Sequence, residues 1–213
     1  MTGVALAGAG GLVPELAAAI NANRAWLSEI DGAIGDGDHG INMSKGFSQA
    51  ATALGSADGG MAAAFATLGD TLLSGIGGSM GPLYGTFFLD MAAALDGAEV
   101  LDAALFSRMA RAGLAGIIDL GGANVGDKTL LDALVPATDA FDAAMAGGAG
   151  FAAALDAMSA AAERGRDATV DMVAKIGRSA RLGERSRGVL DAGAASCCLI
   201  LQTMATGLKA RGA

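Results

Sequence analysis

The sequence is poor in the features that mark several classes of protein. Of its 213 residues, 14 are Lys or Arg and 22 are Asp or Glu, which gives a formal net charge of −8. Proteins that bind nucleic acid usually present a basic face, so this balance argues against direct binding of nucleic acid. No run of about 20 apolar residues is free of charges or glycines, which argues against a membrane span. The amino-terminal stretch also lacks the basic residues of a signal peptide.

Cysteine and aromatic residues are scarce as well. The two cysteines, Cys197 and Cys198, are adjacent and lie in an apolar run. Neighbouring cysteines cannot form an ordinary disulfide, so we expect buried thiols in a helix and a reducing, cytoplasmic compartment. Aromatic residues make up 4% of the chain, whereas hydrophobic residues make up 53%. This composition predicts a sizeable core of closely packed helices with short side chains at their contacts.

The spacing of apolar residues predicts an all-α fold. Apolar side chains recur every three or four residues, glycine-rich stretches separate the periodic segments, and no segment alternates as a half-buried strand does. The predicted helices cover about 12–30, 42–54, 61–73, 82–95, 100–118, 127–146, 151–176 and 194–209. No linker or change of composition divides the chain. We therefore expect one domain, residues 1–213, folded as an antiparallel eight-helix bundle or barrel.

The connections between these helices differ in character. In an antiparallel arrangement, every other connection lies at the same end. The connections after helices one, three, five and seven are rich in glycine and polar groups, and they cover 31–40, 74–81, 121–126 and 177–193. The other three are shorter and plainer, and lie at 55–58, near Asp96 and near Gly147. The topology thus predicts one functional end.

The most informative stretch contains Asp31, Asp36 and Asp38. These carboxylates fall within eight residues, glycines separate them, and the only histidine of the chain, His39, follows directly. Close carboxylates repel one another unless a cation balances them. Oxygen ligands suit Mg²⁺, which also bridges phosphate oxygens, whereas the Glu at the twelfth position of a Ca²⁺ loop is missing. The alternative is a solvated turn whose aspartates cap helices.

Four further segments could bind phosphate. His39 and Asn42 open a predicted helix, and the glycine-rich stretch 77–81 precedes another, where free backbone N–H groups attract anions. The latter is not a Walker A loop, because no Gly-Lys-Ser/Thr follows it. The stretch 126–129 opens a further helix, with Asp127 as an alternative simple cap. Residues 161–190 carry seven basic and four acidic side chains, and arginine suits phosphate, although a solvated charged face is the alternative.

Four strings taken together resemble the nucleotide-binding L subunit of dihydroxyacetone kinase, a Dak2-type domain. They are DGAIGDGDHG at 31–40 with Asn42-Met43, GPLYGT at 81–86, GDKT at 126–129 and LGERS at 182–186. They occur in the family's order and span almost the whole chain. The resemblance implies an eight-helix antiparallel barrel that binds ADP or ATP at one end.

The resemblance also implies a set of site residues, none of which acts as a catalytic acid or base. Asp31, Asp36 and Asp38 would hold two Mg²⁺ ions that bridge the nucleotide phosphates. The nucleotide itself would be bound by His39, Gly40, Ile41, Asn42, Ser79, Met80, Gly122, Thr129, Leu130, Arg178, Asp191 and Gly193, of which Arg178 and Asp191 belong to a lid.

Two positions depart from the family pattern. Met80 replaces a small polar residue, so a hydroxyl contact to phosphate would be lost or only backbone contacts would be used. Ala192 replaces a proline, which would loosen the lid.

The implied function is phosphoryl transfer in which this chain is inactive alone. A separate K subunit would hold dihydroxyacetone covalently, and this chain would present the nucleotide phosphate to it. The phosphate source would be either resident ADP, recharged by a phosphohistidine subunit of the sugar phosphotransferase system, or freely exchanging ATP. The alternatives are a nucleotide-state sensor that binds a transcriptional regulator, a kinase subunit for another short ketose, and the nucleotide domain of a fatty-acid kinase. A homodimer is also compatible with the sequence.

Overall fold

The structure is a computed structural model that describes residues 3–55 and 59–213. Nine α-helices form in these residues: α1 (Leu12–Ala22), α2 (Arg24–Ile34), α3 (His39–Leu54), α4 (Met61–Gly75), α5 (Met80–Ala94), α6 (Ala103–Gly121), α7 (Leu131–Ala146), α8 (Phe151–Ala168) and α9 (Ala192–Ala210). Two short strands, β1 (Val4–Ala5) and β2 (Val100–Leu101), pair antiparallel. Short 3₁₀ helices cover Ala9–Gly11, Thr169–Asp171 and Ser179–Ser186.

The helices form a closed ring. From α3 to α9 each helix packs against the next, and α1 packs against both α3 and α9. The contact between α4 and α5 depends on Gly69 and Gly85, because a Cβ on either would lie 2.8 to 3.0 Å from the other's carbonyl oxygen. The all-α bundle predicted from the spacing is therefore confirmed. None of the described helices is long and apolar enough to cross a membrane.

The core has two aromatic groups and a central helix. Phe88 lies 5.1 to 6.0 Å, between ring centroids, from three neighbouring phenylalanines, and a second group joins Phe106, Phe141 and Phe151. Helix α9 packs against α1, α2, α7 and α8, and both of its cysteines are free and buried, as predicted. Its small side chains allow these close contacts on several sides.

The predicted first helix, 12–30, is in fact two helices. The backbone of Asn23 leaves the helical conformation at φ −104° and ψ 7°, and its side-chain amide donates to the carbonyl of Ala19 at 2.9 Å. Asparagine often competes with a helix in this way. The division explains why nine helices are described where eight were predicted. Because α2 continues to Ile34, Asp31 lies in a helical turn rather than in a loop.

Other boundaries differ for local reasons. Helix α7 begins at Leu131 rather than at 127, because Lys128 adopts a left-handed φ of 62°. Helix α8 ends at Ala168 rather than at 176, where the hydroxyl of Thr169 donates to the carbonyl of Arg166 at 2.6 Å. Helix α6 begins only after β2. Helix α3 ends at Leu54, before Gly55, whose φ is 65°, and the rest of the predicted break, 56–58, lies outside the described residues.

Candidate functional site

One end of the ring contains a cleft of about 440 Å³. All four glycine-rich connections contribute to it, as do the starts of α3, α5 and α9. The lining comes from within 31–42, 77–83, 117–123, 128–131, 176–179 and 191–193. Residues from the whole length of the chain therefore meet at the end that the alternation of connections predicted.

Asp31, Asp36 and Asp38 stand together at the rim of this cleft. One carboxylate oxygen of each lies within 4.8 Å of the others, and Asp36 and Asp38 are exposed. The turn depends on Gly35, where a Cβ would lie 2.5 Å from Oδ1 of Asp31. Three oxygen donors at this spacing fit a hard divalent cation such as Mg²⁺.

Arg178 approaches the same carboxylates from the connection between α8 and α9. Its guanidinium forms an ion pair with Asp36 and lies 3.9 Å from Oδ2 of Asp38. The side chain is 56% exposed, so it can reorient toward an anionic ligand in the cleft. The guanidinium of Arg178 thus balances the charge of these carboxylates, and the same group could bind phosphate.

His39 is the most buried of the polar side chains predicted to contact phosphate. Its Nε2 lies 3.0 Å from Oγ of Ser196, which lies 2.8 Å from the hydroxyl of Tyr84. Burial lowers the pKa of His39 to about 4, against an opposing effect of Asp31. The ring is therefore neutral at pH 7 and can offer a hydrogen bond but no positive charge. Ser196 and Tyr84 were missed by the sequence analysis, because nothing local connects them to His39.

The starts of α3 and α5 both contribute to the cleft that holds the three carboxylates. His39 and Asn42 of α3, and Ser79 and Met80 of α5, line it. The first-turn N–H groups of a helix lack partners within the helix and attract anions. Gly40 instead packs under α2, where a Cβ would lie 2.1 Å from the carbonyl oxygen of Arg24.

Three of the residues predicted to bind the nucleotide do not line the cleft. They are Gly40, Ile41, which is 48% exposed, and Gly122, whose neighbours Gly121 and Ala123 do line it. The remaining predicted residues of the far wall, Thr129, Leu130, Asp191 and Gly193, all line it.

Two carboxylates, the partly buried Asp191 and the buried Asp132, stabilise the part of the cleft formed by 126–131 and the start of α9. Asp191 caps α9, since its Oδ1 accepts from the N–H of Ala194 at 2.7 Å, and burial raises its pKa to about 7. Asp132 accepts from the N–H groups of Gly126 and Thr129 at 2.5 and 2.7 Å. Asp132 thus stabilises the 126–130 turn, whereas Asp127, which does not cap α7, accepts from the N–H of Asn124 and pairs with Lys175.

This fold and this site define a class of protein. A ring of helices ends in a cleft with clustered carboxylates, two helix N-termini, an exposed arginine side chain and an apolar wall that includes Leu83, Ile117 and Leu120. Such a cleft suits a cation-dependent ligand that has phosphate groups and a flat apolar part. The family model of the DAK2 domain matches residues 33–206, and the chain belongs to this family.

Curated relatives are similar over most of their length. The ADP-binding subunit DhaL of the PEP-dependent dihydroxyacetone kinase of Escherichia coli (strain K12) is 38% identical over 185 residues, which are 86% of this chain and 88% of that protein. The corresponding subunit of the PTS-dependent dihydroxyacetone kinase of Lactococcus lactis is 37% identical over 189 residues, 87% of this chain and 88% of that protein.

Solved structures of dihydroxyacetone kinase from C. freundii share the fold. The native form has a TM-score of 0.72 and 27% identity over 93% of this chain. A complex with AMP-PNP and Mg²⁺ has a TM-score of 0.69 and 27% identity over 92% of this chain. This chain spans about a third of those longer chains, 34% and 33%.

Proposed function

We propose that this chain is the nucleotide-binding, phosphoryl-transferring subunit of a dihydroxyacetone kinase. The observation that carries the proposal is the meeting of Asp31, Asp36 and Asp38 within 4.8 Å beside two helix N-termini. The similarity to ADP-binding subunits along 88% of their length supports it. The whole chain, residues 1–213, would act as one domain, and it would be inactive without a K subunit that holds the substrate.

Each part of the cleft has a role in this proposal. Asp31, Asp36 and Asp38 would hold two Mg²⁺ ions, which when bound would neutralise and bridge the phosphates. His39 and the amides at Gly40, Ile41, Asn42, Ser79 and Met80 would bind phosphate oxygens, and Gly122, Thr129 and Leu130 would surround the nucleoside. Arg178 would leave its carboxylate partners and cover the phosphates, next to Asp191 and Gly193 at the start of α9.

In the proposed reaction, the side chains of this chain would contribute mainly by positioning the phosphates and balancing their charge. In phosphoryl transfer the charge spreads over the oxygens of the transferred group, and catalysis comes mainly from alignment and electrostatic stabilisation. Arg178 and the helix N-termini supply positive potential, and the neutral ring of His39 can donate a hydrogen bond from within the protein. The attacking hydroxyl belongs to the acceptor, so this chain needs no nucleophile.

We further propose resident ADP that a phosphohistidine-carrying subunit of the phosphotransferase system recharges. The names of the E. coli and L. lactis relatives, PEP-dependent and PTS-dependent, support this donor. The free, buried cysteines fit a cytoplasmic location. Binding of a transcriptional regulator and formation of a homodimer stay predictions, to be tested by co-purification and by native mass.

A second candidate, a kinase subunit for a four-carbon ketose, has one supporting observation. The D-erythrulose kinase of Mycolicibacterium smegmatis is 36% identical over 182 residues, but these are only 31% of that protein. Because the substrate would be held by the partner, the cleft of this chain does not distinguish the two.

Native mass spectrometry and a reconstituted assay test these proposals. We expect purified protein to carry ADP and two Mg²⁺ ions, and Asp36→Asn protein to carry neither. With a K subunit, dihydroxyacetone should be phosphorylated faster than erythrulose. Protein that never binds ADP in the presence of Mg²⁺ would contradict the nucleotide site, whereas loss of ADP during gel filtration would contradict only its resident state. The opposite substrate preference would favour the second candidate.

A further inference from the structure

Lys128 is a buried lysine whose charge is met by backbone carbonyls. Its residue is 1% exposed, and its Nζ donates to the carbonyl oxygens of Val189 at 2.6 Å and of Thr169 and Ser186 at 2.7 Å. A fourth carbonyl, of Met172, lies at 3.2 Å. An ammonium group has three hydrogens, so the three short contacts use them all. Among the residues that the structure describes, no carboxylate forms an ion pair with Lys128.

All four carbonyls belong to the connection between α8 and α9, residues 169–190, called the lid segment below. The structure describes every residue of this segment, and Ala174 is its only buried apolar residue. Burial of apolar surface therefore contributes little to its order. Its conformation depends on hydrogen bonds, such as the one from the N–H of Gly188 to the carbonyl of Val170 at 2.8 Å.

Lys128 reaches the lid segment from a part of the cleft lining that is distant in sequence. It lies in the turn that carries Thr129 and Leu130, and its left-handed φ of 62° is unusual for a residue with a Cβ. Asp132 holds this turn from below through the N–H of Thr129. A strained backbone conformation that persists next to a ligand cleft often has a positioning role.

We propose that Lys128 is a positioning residue that ties the lid segment to the wall of the cleft and thereby places Arg178 over the carboxylates. The consequence for nucleotide binding rests on the function proposed above. The four carbonyls converge on Nζ from both ends of the lid segment, and Arg178 lies between them in the chain. Without the ammonium group, these carbonyls lose their common donor, and the segment has no apolar core to replace it.

Hydrogen exchange in the nucleotide-free protein tests the first half of the proposal. In Lys128→Met, peptides from the lid segment should exchange about tenfold faster or more, because local opening becomes easier, while α4 and α5 keep the wild-type rate. Arg181→Met is the matched control: it removes an exposed basic side chain of the same segment that forms no ion pair among residues 3–55 and 59–213. Should Lys128→Met fail to fold, Lys128→Gln keeps two N–H donors and should show a smaller increase. Wild-type exchange in folded Lys128 variants would overturn the proposal.

A double-mutant cycle tests the second half. Arg178→Ala should weaken ADP binding in the presence of Mg²⁺ about tenfold in the wild type and about twofold or less in the Lys128→Met background, because Arg178 is already misplaced there. In the Arg181→Met background, the full effect of Arg178→Ala should remain. If the effects of Lys128→Met and Arg178→Ala on ADP binding are additive, Lys128 has only a structural role, and the proposal that it positions Arg178 is overturned. If the wild type binds no nucleotide, the proposed function fails, and hydrogen exchange still decides the role of Lys128 in the lid segment.

Discussion

The pKa of His39 measures how far this ring, which is proposed to contact phosphate, is shielded from water. Burial lowers the pKa of this ring from 6.5 to about 4. As the pH falls below 6.5, the unfolded chain takes up a proton that the folded protein does not, so the stability falls until the pH reaches the folded pKa. With about 1.4 kcal/mol per pKa unit, the loss through this group is about 2 kcal/mol at pH 5 and about 3 kcal/mol in the limit.

The chain is well suited to the measurement because it has one histidine. In protein without a histidine tag, and with EDTA present, the ring gives a single NMR titration without assignment of other residues. We expect no titration between pH 7 and pH 5. Urea unfolding of the wild type and of His39→Gln should give stabilities whose difference changes by about 2 kcal/mol between pH 8 and pH 5, in favour of the variant at pH 5. A ring that titrates near pH 6.5 in folded protein would refute the argument from burial.

Three other changes test neighbouring parts of the site. Asp36→Asn should weaken Mg²⁺-dependent ADP binding at least about tenfold, measured by calorimetry, with an unchanged helical circular dichroism spectrum. Protonated Asp191 should stabilise the folded protein below about pH 4, and this stability should be lost as the pH rises to about 7, because its raised pKa lets the folded protein hold a proton that the unfolded chain releases. Because the titration of His39 has the opposite slope over part of this range, the measured quantity is a difference: the free energy of unfolding of Asp191→Asn minus that of the wild type should increase from pH 4 to pH 7. Gly40→Ala should lower the stability by about 2 kcal/mol or more, because its Cβ would overlap the carbonyl of Arg24, whereas Gly77→Ala, where nothing lies within 4 Å, should not.

The sequence predicts the fold class because each helix is indicated by residues within its own segment. Apolar spacing and glycine-rich breaks are short-range signals, so most helices were predicted within a few residues. The errors fall where a side chain competes with the helix: Asn23 caps its own helix end, and Thr169 bonds back to Arg166. Such competition depends on geometry that residue type alone does not determine.

The site was predictable in part for a similar reason. Asp31, Asp36 and Asp38 are close in sequence, and their repulsion is visible without a structure. The groups that support the cleft are far apart in sequence: Ser196 contacts His39 across 157 residues and Tyr84 across 112 residues. No period or short motif links them, and each alone resembles an ordinary core residue.

The GDKT stretch, residues 126–129, shows that recognising a motif does not establish what each of its residues does. From the sequence, Asp127 was the natural candidate for a helix cap, and Lys128 had no role. In the structure, α7 has no side-chain cap, Asp132 in its first turn accepts from the N–H of Thr129, and Lys128 turns inward to the lid segment. Either Asp127 or Asp132 could stabilise a turn that leads into a helix, so residue type alone does not distinguish the two. The inward position of Lys128 follows from the lid segment, whose only buried apolar residue is Ala174 and whose carbonyls accept from the buried ammonium group.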